Sequence, residues 1–249
     1  SEHHPIARRR KGGRRANFIH SAAATESPEL MTQKVLVQIL CFLCFFVVHD
    51  AHAQSRSDNQ QWTEVVLAAP VTGTIDFNII GGLRIGRDIS HPVDERVGVG
   101  FTFRFGEHVS FAPHYLHIAT QPFEGRRAWE NRVVLPVSFR FNAGKYRLSY
   151  RNQFERRYRS NGALTNRDRN RFMVEHPVGP DKYKLSLFVS DEVFYDWSVD
   201  RWVRNRFMIG ASKVFNDHFT QEFYYMRQND GVSLPGDLNV LGTALRFKL

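Results

Sequence analysis

From about residue 74 to the end of the chain, apolar and polar side chains alternate with a period of two, which restricts the chain to a strand-built fold. Within 96–106, Val97, Val99, Phe101, Phe103 and Phe105 share one face, while Gly98, Gly100, Thr102 and Arg104 share the other. Ile75, Phe77, Ile79, Leu83 and Ile85 oppose Asp76, Asn78, Gly82 and Arg84 in the same way. Val133, Leu135, Val137, Phe139 and Phe141 oppose Arg132, Ser138 and Arg140. In 146–159, Tyr146, Leu148, Tyr150, Phe154 and Tyr158 alternate with Arg147, Ser149, Arg151, Gln153, Glu155, Arg157 and Arg159. Past Gln54 there is neither a convincing amphipathic helix nor an apolar stretch of membrane-helix length.

Upstream of these strands lies an export signal. Met31 opens it, Lys34 supplies the positive charge, residues 35–48 are apolar apart from Gln38, and Asp50-Ala51-His52-Ala53-Gln54 closes it with an A-x-A site cut after Ala53. The 35–48 run is too short to cross about 30 Å of hydrocarbon as a helix. The expected domains are therefore 1–30, an upstream extension or mis-assigned start, then the 31–53 signal, then a single barrel over 54–249. The 1–30 tract bears Arg, His and Ser; a mitochondrial presequence is its alternative reading. Both cysteines, Cys41 and Cys44, fall inside the signal, and neither follows a small residue as a lipoprotein cysteine would. The exported part thus holds together without disulfides. It keeps 27 of the 34 basic and 21 of the 25 acidic residues, a net charge of +6.

Short turn-like connections at Gly106-Glu107, Asn142-Ala143-Gly144, Gly179-Pro180-Asp181 and Asn216-Asp217 alternate with longer polar ones near 88–94, 120–127, 160–168, 196–201 and 229–236. Short turns on one rim and longer loops on the other describe an outer-membrane barrel. A soluble sandwich or lipocalin-like barrel alternates as well, with its apolar face inside. The polar face decides between them, because it carries several Arg on most strands, and arginines belong in a polar lumen rather than in a greasy core. The expectation is a closed, antiparallel, up-and-down transmembrane barrel of ten strands: 74–87, 95–105, 108–119, 129–141, 145–158, 170–177, 183–195, 203–214, 218–228 and 238–249. Residues 62–68 then lead in without spanning; the alternative is a count of twelve, since single-chain barrels have even numbers.

Two resemblances reinforce this reading. Gly242, Leu245, Phe247 and Leu249 resemble the C-terminal sorting signal of bacterial outer-membrane barrels, with Leu249 where that signal usually carries Phe. Three descending strands open alike, Glu130-Asn131-Arg132-Val133, Arg169-Asn170-Arg171-Phe172 and Arg204-Asn205-Arg206-Phe207, as a barrel grown from hairpins would show. Each Arg of these openings is expected near the loop-side rim, pointing inward. Together with Trp62-x-Glu64, the triplets resemble domain-of-unknown-function family 2490, over roughly 61–249. The resemblance implies a small barrel in a Gram-negative outer membrane with no assigned activity. Its partners would be outer-membrane lipids and lipopolysaccharide, and the barrel-assembly machinery during insertion.

The expected lumen comprises Asp76, Asn78, Arg84, Arg104, Arg132, Arg140, Arg147, Arg151, Glu155, Arg157, Arg171, Glu175, Glu192, Arg204, Arg206, Glu222 and Arg246. Basic groups exceed acidic ones. A salt-bridge plug is the favoured reading, because charges removed from water must be paired and a barrel this narrow is near the size that side chains fill. An anion-preferring path is the alternative. Tyr115, Trp129, Tyr158, Tyr195, Trp197, Trp202 and Tyr224 are expected to form interfacial girdles. A hydrolase acting on lipid A, phospholipid or peptide would draw on His114, Ser110 and Glu175, or on a loop-side pair such as Asp191 and Glu192, but no G-x-S-x-G signature supports it. His91, His108, His117, His176 and His218 lack metal-ligand spacing, and no phosphate or dinucleotide loop is present. The glycines at 81, 82, 98 and 100 suit curvature or close packing. The expectation is a structural or transport-type barrel rather than an enzyme, with no cofactor, metal or nucleic acid.

Overall fold

The computed structural model describes residues 57–249. The upstream tract and the export signal expected over 31–53 lie outside the described residues. Alternation becomes strand throughout: β1 (Asp58–Pro70), β2 (Ile75–Gly86), β3 (His91–Phe105), β4 (Val109–Phe111), β5 (His114–Phe123) and β6 (Arg126–Ala143). They are followed by β7 (Tyr146–Arg159), β8 (Leu164–Val178), β9 (Leu185–Asp196), β10 (Arg201–Asn216), β11 (Phe219–Asp230) and β12 (Leu238–Lys248). A single 3-10 turn, Asp181–Tyr183, interrupts the strands.

β4 and β5 are two halves of one course, since both pair with β3 and with β6. The break falls at Ala112-Pro113, where proline has no N–H to donate to a ladder. Eleven courses therefore surround the lumen, within the ten to twelve expected. Every neighbouring pair is antiparallel except the seam, where β1 runs parallel to β12 with Asp58 beside Leu238 and Trp62 beside Gly242. An odd number of up-and-down courses requires this, because the first and last then run the same way. The 62–68 segment is thus a barrel strand, hydrogen-bonded on both sides, rather than a lead-in. It cannot be left out without exposing the edges of β2 and β12.

The connections after β1, β3, β6, β8 and β10 share one rim with Leu249, whose N–H donates to the Ala68 carbonyl at 2.9 Å. The connections after β2, β5, β7, β9 and β11 share the other rim with Asp58. The longer loops expected on that second rim contract, leaving only residues 87–90, 124–125, 160–163, 197–200 and 231–237 outside strands. The charged residues in the remainder continue the strand alternation.

Phe101, Phe103, Val137 and Phe139 face outward, as do the exposed Val97, Leu135, Ile209, Leu241 and Phe223. Near the C-terminal rim this face carries stacked rings, Phe215 on Phe219 at 5.1 Å and Phe219 on Phe247 at 4.8 Å, with exposed Phe105 and Phe141 close to the same rim. Near the loop rim Trp129, Tyr158, Trp197 and Trp202 are exposed, and Tyr195 packs edge-on against Trp202 at 5.3 Å. Two aromatic girdles therefore bracket an apolar band. Tyr115 lies within the band rather than at its edge, on the outward face of β5. Tyr224 departs from the girdle expectation altogether, as it points into the lumen and lies over Gly242. Polar groups that face outward in mid-strand bond to one another: the Asn170 side-chain oxygen accepts from Tyr150 Oη at 2.6 Å and from Asn152 at 2.9 Å.

Candidate functional site

The inward face divides into a packed half toward the loop rim and an open half toward the C-terminal rim. Three glutamates on three strands organise the packed half. Glu130 on β6 accepts two bonds from Arg157, at 2.7 and 2.8 Å, and is also bridged by Arg132. Glu155 on β7 accepts from Arg167 at 2.6 Å and Arg169 at 2.8 Å, and Arg132 stands 3.6 Å away. Glu192 on β9 takes Arg169 at 2.9 Å and Arg151 at 2.8 Å, with Arg206 at 3.9 Å. Arg132 and Arg169 thus chain the three carboxylates into one network across β6 to β10. Asp94 with Arg96 (2.6 Å), Asp230 with Arg204, and Asp196 with Arg157 (3.7 Å) extend it around the barrel.

Arginines outnumber carboxylates in this network, and aromatic faces take up part of the surplus. Phe194 is fully buried at the centre, with the guanidiniums of Arg167, Arg169, Arg204 and Arg206 all 4.7 to 5.3 Å from its ring centre. Trp62 receives Arg84 at 3.5 Å and Arg206 at 4.9 Å, and its indole N–H donates to Gln60 at 2.7 Å. Arginine suits this role because its planar, weakly hydrated guanidinium both forks onto carboxylates and stacks on rings. Small apolar clusters, Trp62–Met226–Leu238–Val240 and Leu116–Ile118–Val134, fill the remaining space. Glu155 is 1% exposed and Arg167 4%, so this half of the lumen excludes solvent.

Below the network the lumen opens. Glu64, Arg140, Arg147, Arg246 and Lys248 are exposed inward-facing side chains. Arg104 pairs with Asp76, Arg147 with Glu175, and Arg246 with Glu222 at 3.4 Å. These exposed side chains line a vestibule that ends at the network and opens at the C-terminal rim, with basic groups in excess.

All of the lumen residues read from the sequence point inward, but they divide between the two halves. Arg84, Arg132, Arg151, Glu155, Arg157, Glu192, Arg204 and Arg206 join the network. Asp76, Asn78, Arg104, Arg140, Arg147, Arg171, Glu175, Glu222 and Arg246 line the vestibule. Arg171 sits in mid-strand, not near the loop rim. The network members Asp94, Arg96, Glu130, Arg167, Arg169, Asp196 and Asp230 were absent from that reading, along with Phe194. Their signal was present, because the two-residue phase of β7 and β8 runs on through Arg169 and Arg167.

The hydrolase candidates do not meet. Asp191 and Glu192 are successive residues of β9 and face opposite ways; Asp191 lies outside, bonded to Asn205 at 2.8 Å. His114 gives its Nδ1 to the Ala112 carbonyl at 2.9 Å, while Glu175 is held by Arg147. Ser110 is on β4 opposite Ser138, and its hydroxyl bonds no histidine or carboxylate among the described residues. His108 and His218 bond to backbone carbonyls of Arg140 and Lys248, and His117 to Asn131. No cluster of three metal-ligating side chains occurs among the described residues. Of the residues expected from the sequence to form a sorting signal, Leu245 and Phe247 face outward on β12, and Gly242 faces inward.

The fold and its lumen define a closed β-barrel with a charged interior and an apolar outer band. The chain matches the family described as "Protein of unknown function (DUF2490)" over residues 59–236, and it belongs to that family. Among solved structures it is similar to an anion-selective porin from Comamonas acidovorans (16% identity, TM-score 0.36), covering 71% of this chain but only 54% of the porin. It is also similar to the NanC porin (10%, 0.42), over 73% of this chain and 93% of that one. A third match is the translocator domain of the autotransporter NalP from Neisseria meningitidis (10%, 0.40), over 82% and 94% respectively. No curated protein matches the chain.

Proposed function

We propose that the protein is a small outer-membrane barrel of structural or transport type, whose ion-pair network closes the loop-side half of the lumen and leaves a blind vestibule facing the periplasm. Outer-membrane lipids and lipopolysaccharide would surround the apolar band, and the assembly machinery would read Gly242, Leu245, Phe247 and Leu249. The observation that carries this reading is the burial of Glu155 and Phe194 at the centre of a continuous carboxylate–guanidinium network. A polar group at 1% exposure leaves no room for hydrated ions beside it.

Planar-bilayer conductance tests it. The protein purified in detergent is expected to be electrically silent. Glu155→Gln combined with Glu192→Gln removes the two carboxylates that hold five arginines, and is expected to produce anion-biased currents through the loosened network. Stepwise anion-selective currents from the unaltered protein would overturn the plug and favour the channel reading that the basic vestibule otherwise supports. Lipid A spectra from cells with and without the protein are expected to be identical.

A further inference from the structure

We propose that Arg151 and Arg171 form a binding site for an oxyanion, a phosphate or carboxylate group, carried by a solute that enters the vestibule from the C-terminal rim. One rung of the ladder runs through Ser138, Arg151, Arg171, Glu192, Arg206 and Gln228 on six successive strands. It brings three arginines to a single carboxylate. Glu192 is already occupied: both its oxygens accept from Arg169 at 2.9 Å, and Arg151 Nη2 donates to it at 2.8 Å. Arg171 is the register partner of both Arg151 and Glu192, yet it makes no ion pair or hydrogen bond among the described residues. The Nε of Arg151 is buried and also lacks a partner, while Arg171 is part-buried.

Like charges directly opposite on a ladder repel, so two neighbouring guanidiniums with unused donors are a cost to the fold unless an anion sits between them. Forked N–H donors match the oxygens of phosphate and carboxylate. The nearby Arg246 already has Glu222 at 3.4 Å, which leaves Arg171 as the guanidinium beside Arg151 with all its donors unused. Arg169, two residues nearer the loop rim on β8, is locked onto Glu192 at 2.9 Å and closes the way onward, which makes this a docking site rather than a path.

The inference rests on the blind-vestibule reading only for the side from which the anion enters, and it can fail independently. The test is urea denaturation of the protein in zwitterionic detergent, in chloride and then in inorganic phosphate or citrate at matched ionic strength, since a ligand that binds the folded state alone stabilises it. Phosphate, citrate or both are expected to raise the wild-type midpoint saturably, and whichever acts identifies the preferred oxyanion. Arg171→Gln is expected to abolish the shift while keeping a chloride midpoint at or above the wild type, because it removes a repulsion and no bond. Arg140→Gln, at the mouth, should retain the shift. The proposal is overturned if neither anion shifts the wild type, if Arg171→Gln still responds, if that variant is markedly less stable in chloride, or if Arg140→Gln loses the response equally. A silent barrel that ignores both anions would lose only this site, and a conducting barrel that binds them would lose only the plug.

Discussion

Glu155 shows how a narrow barrel tolerates so many charges in its interior. It holds Arg167 and Arg169 directly, with Gln153 donating a further bond at 2.7 Å, while Arg132 closes the group from β6. Removing one partner of a buried pair leaves the others uncompensated, which typically costs about 3–5 kcal/mol. Glu155→Leu is therefore expected to lower unfolding stability by about that amount, read from urea denaturation through tryptophan fluorescence, to which Trp62 contributes with two arginines of the same network on its ring. A loss below about 1 kcal/mol would mean that the network contributes no more than a set of surface pairs. At this scale the sequence told which residues face inward but not which of them meet. Arg84 and Arg104 occupy the same face of neighbouring strands, yet one joins the packed half and the other the vestibule. Height along the barrel depends on tilt and register between strands, and neither is encoded in a single strand's alternation. Arg167 and Arg169 escaped for a related reason: a charged, Asn-rich run reads as loop until its pairing with β9 is known.

Among the elements, the seam between β1 and β12 is where local pattern and global closure part company. The alternation of 62–68 was visible, but an even-strand expectation argued against giving it a place in the wall, and only the pairing with both neighbours decides the matter. The same seam explains Gly242. It lies between Trp62 and Tyr224 in register, and a Cβ there would occupy the space of the Tyr224 ring, so the aromatic side chain covers the glycine of its neighbouring strand. Gly98 and Gly100 serve a different purpose: a Cβ on either would strike the main-chain carbonyl of Tyr115 or Pro113, where β3 hugs the broken β4–β5 course. Gly242→Ala is expected to destabilise the barrel by about 1–3 kcal/mol through overpacking, and to be nearly neutral in a Tyr224→Ala background. Equal costs in the two backgrounds would show that Tyr224 is not what Gly242 accommodates.

For the molecule as a whole, the parallel seam separates the two ends of the wall. Asp58 begins β1 at the loop rim and Lys248 ends β12 at the opposite rim, whereas an even-stranded barrel would bring both to the same side. In the proposed orientation, with the C-terminal rim toward the periplasm, the start of β1 would face the cell exterior. The two assertions, which way up and how the wall closes, can be tested separately with single cysteines. Asn161, in the β7–β8 connection, reports orientation, Asp217 in the β10–β11 turn reports the opposite rim, and Ser57 reports the seam. On intact cells a membrane-impermeant maleimide is expected to label Asn161→Cys and Ser57→Cys, and to reach Asp217→Cys only after the outer membrane is opened. Label on Asn161→Cys but not on Ser57→Cys would contradict the parallel seam while leaving the orientation intact. Label on Asp217→Cys alone would invert the barrel, place the vestibule at the cell surface, and turn the anion site toward external rather than periplasmic solutes.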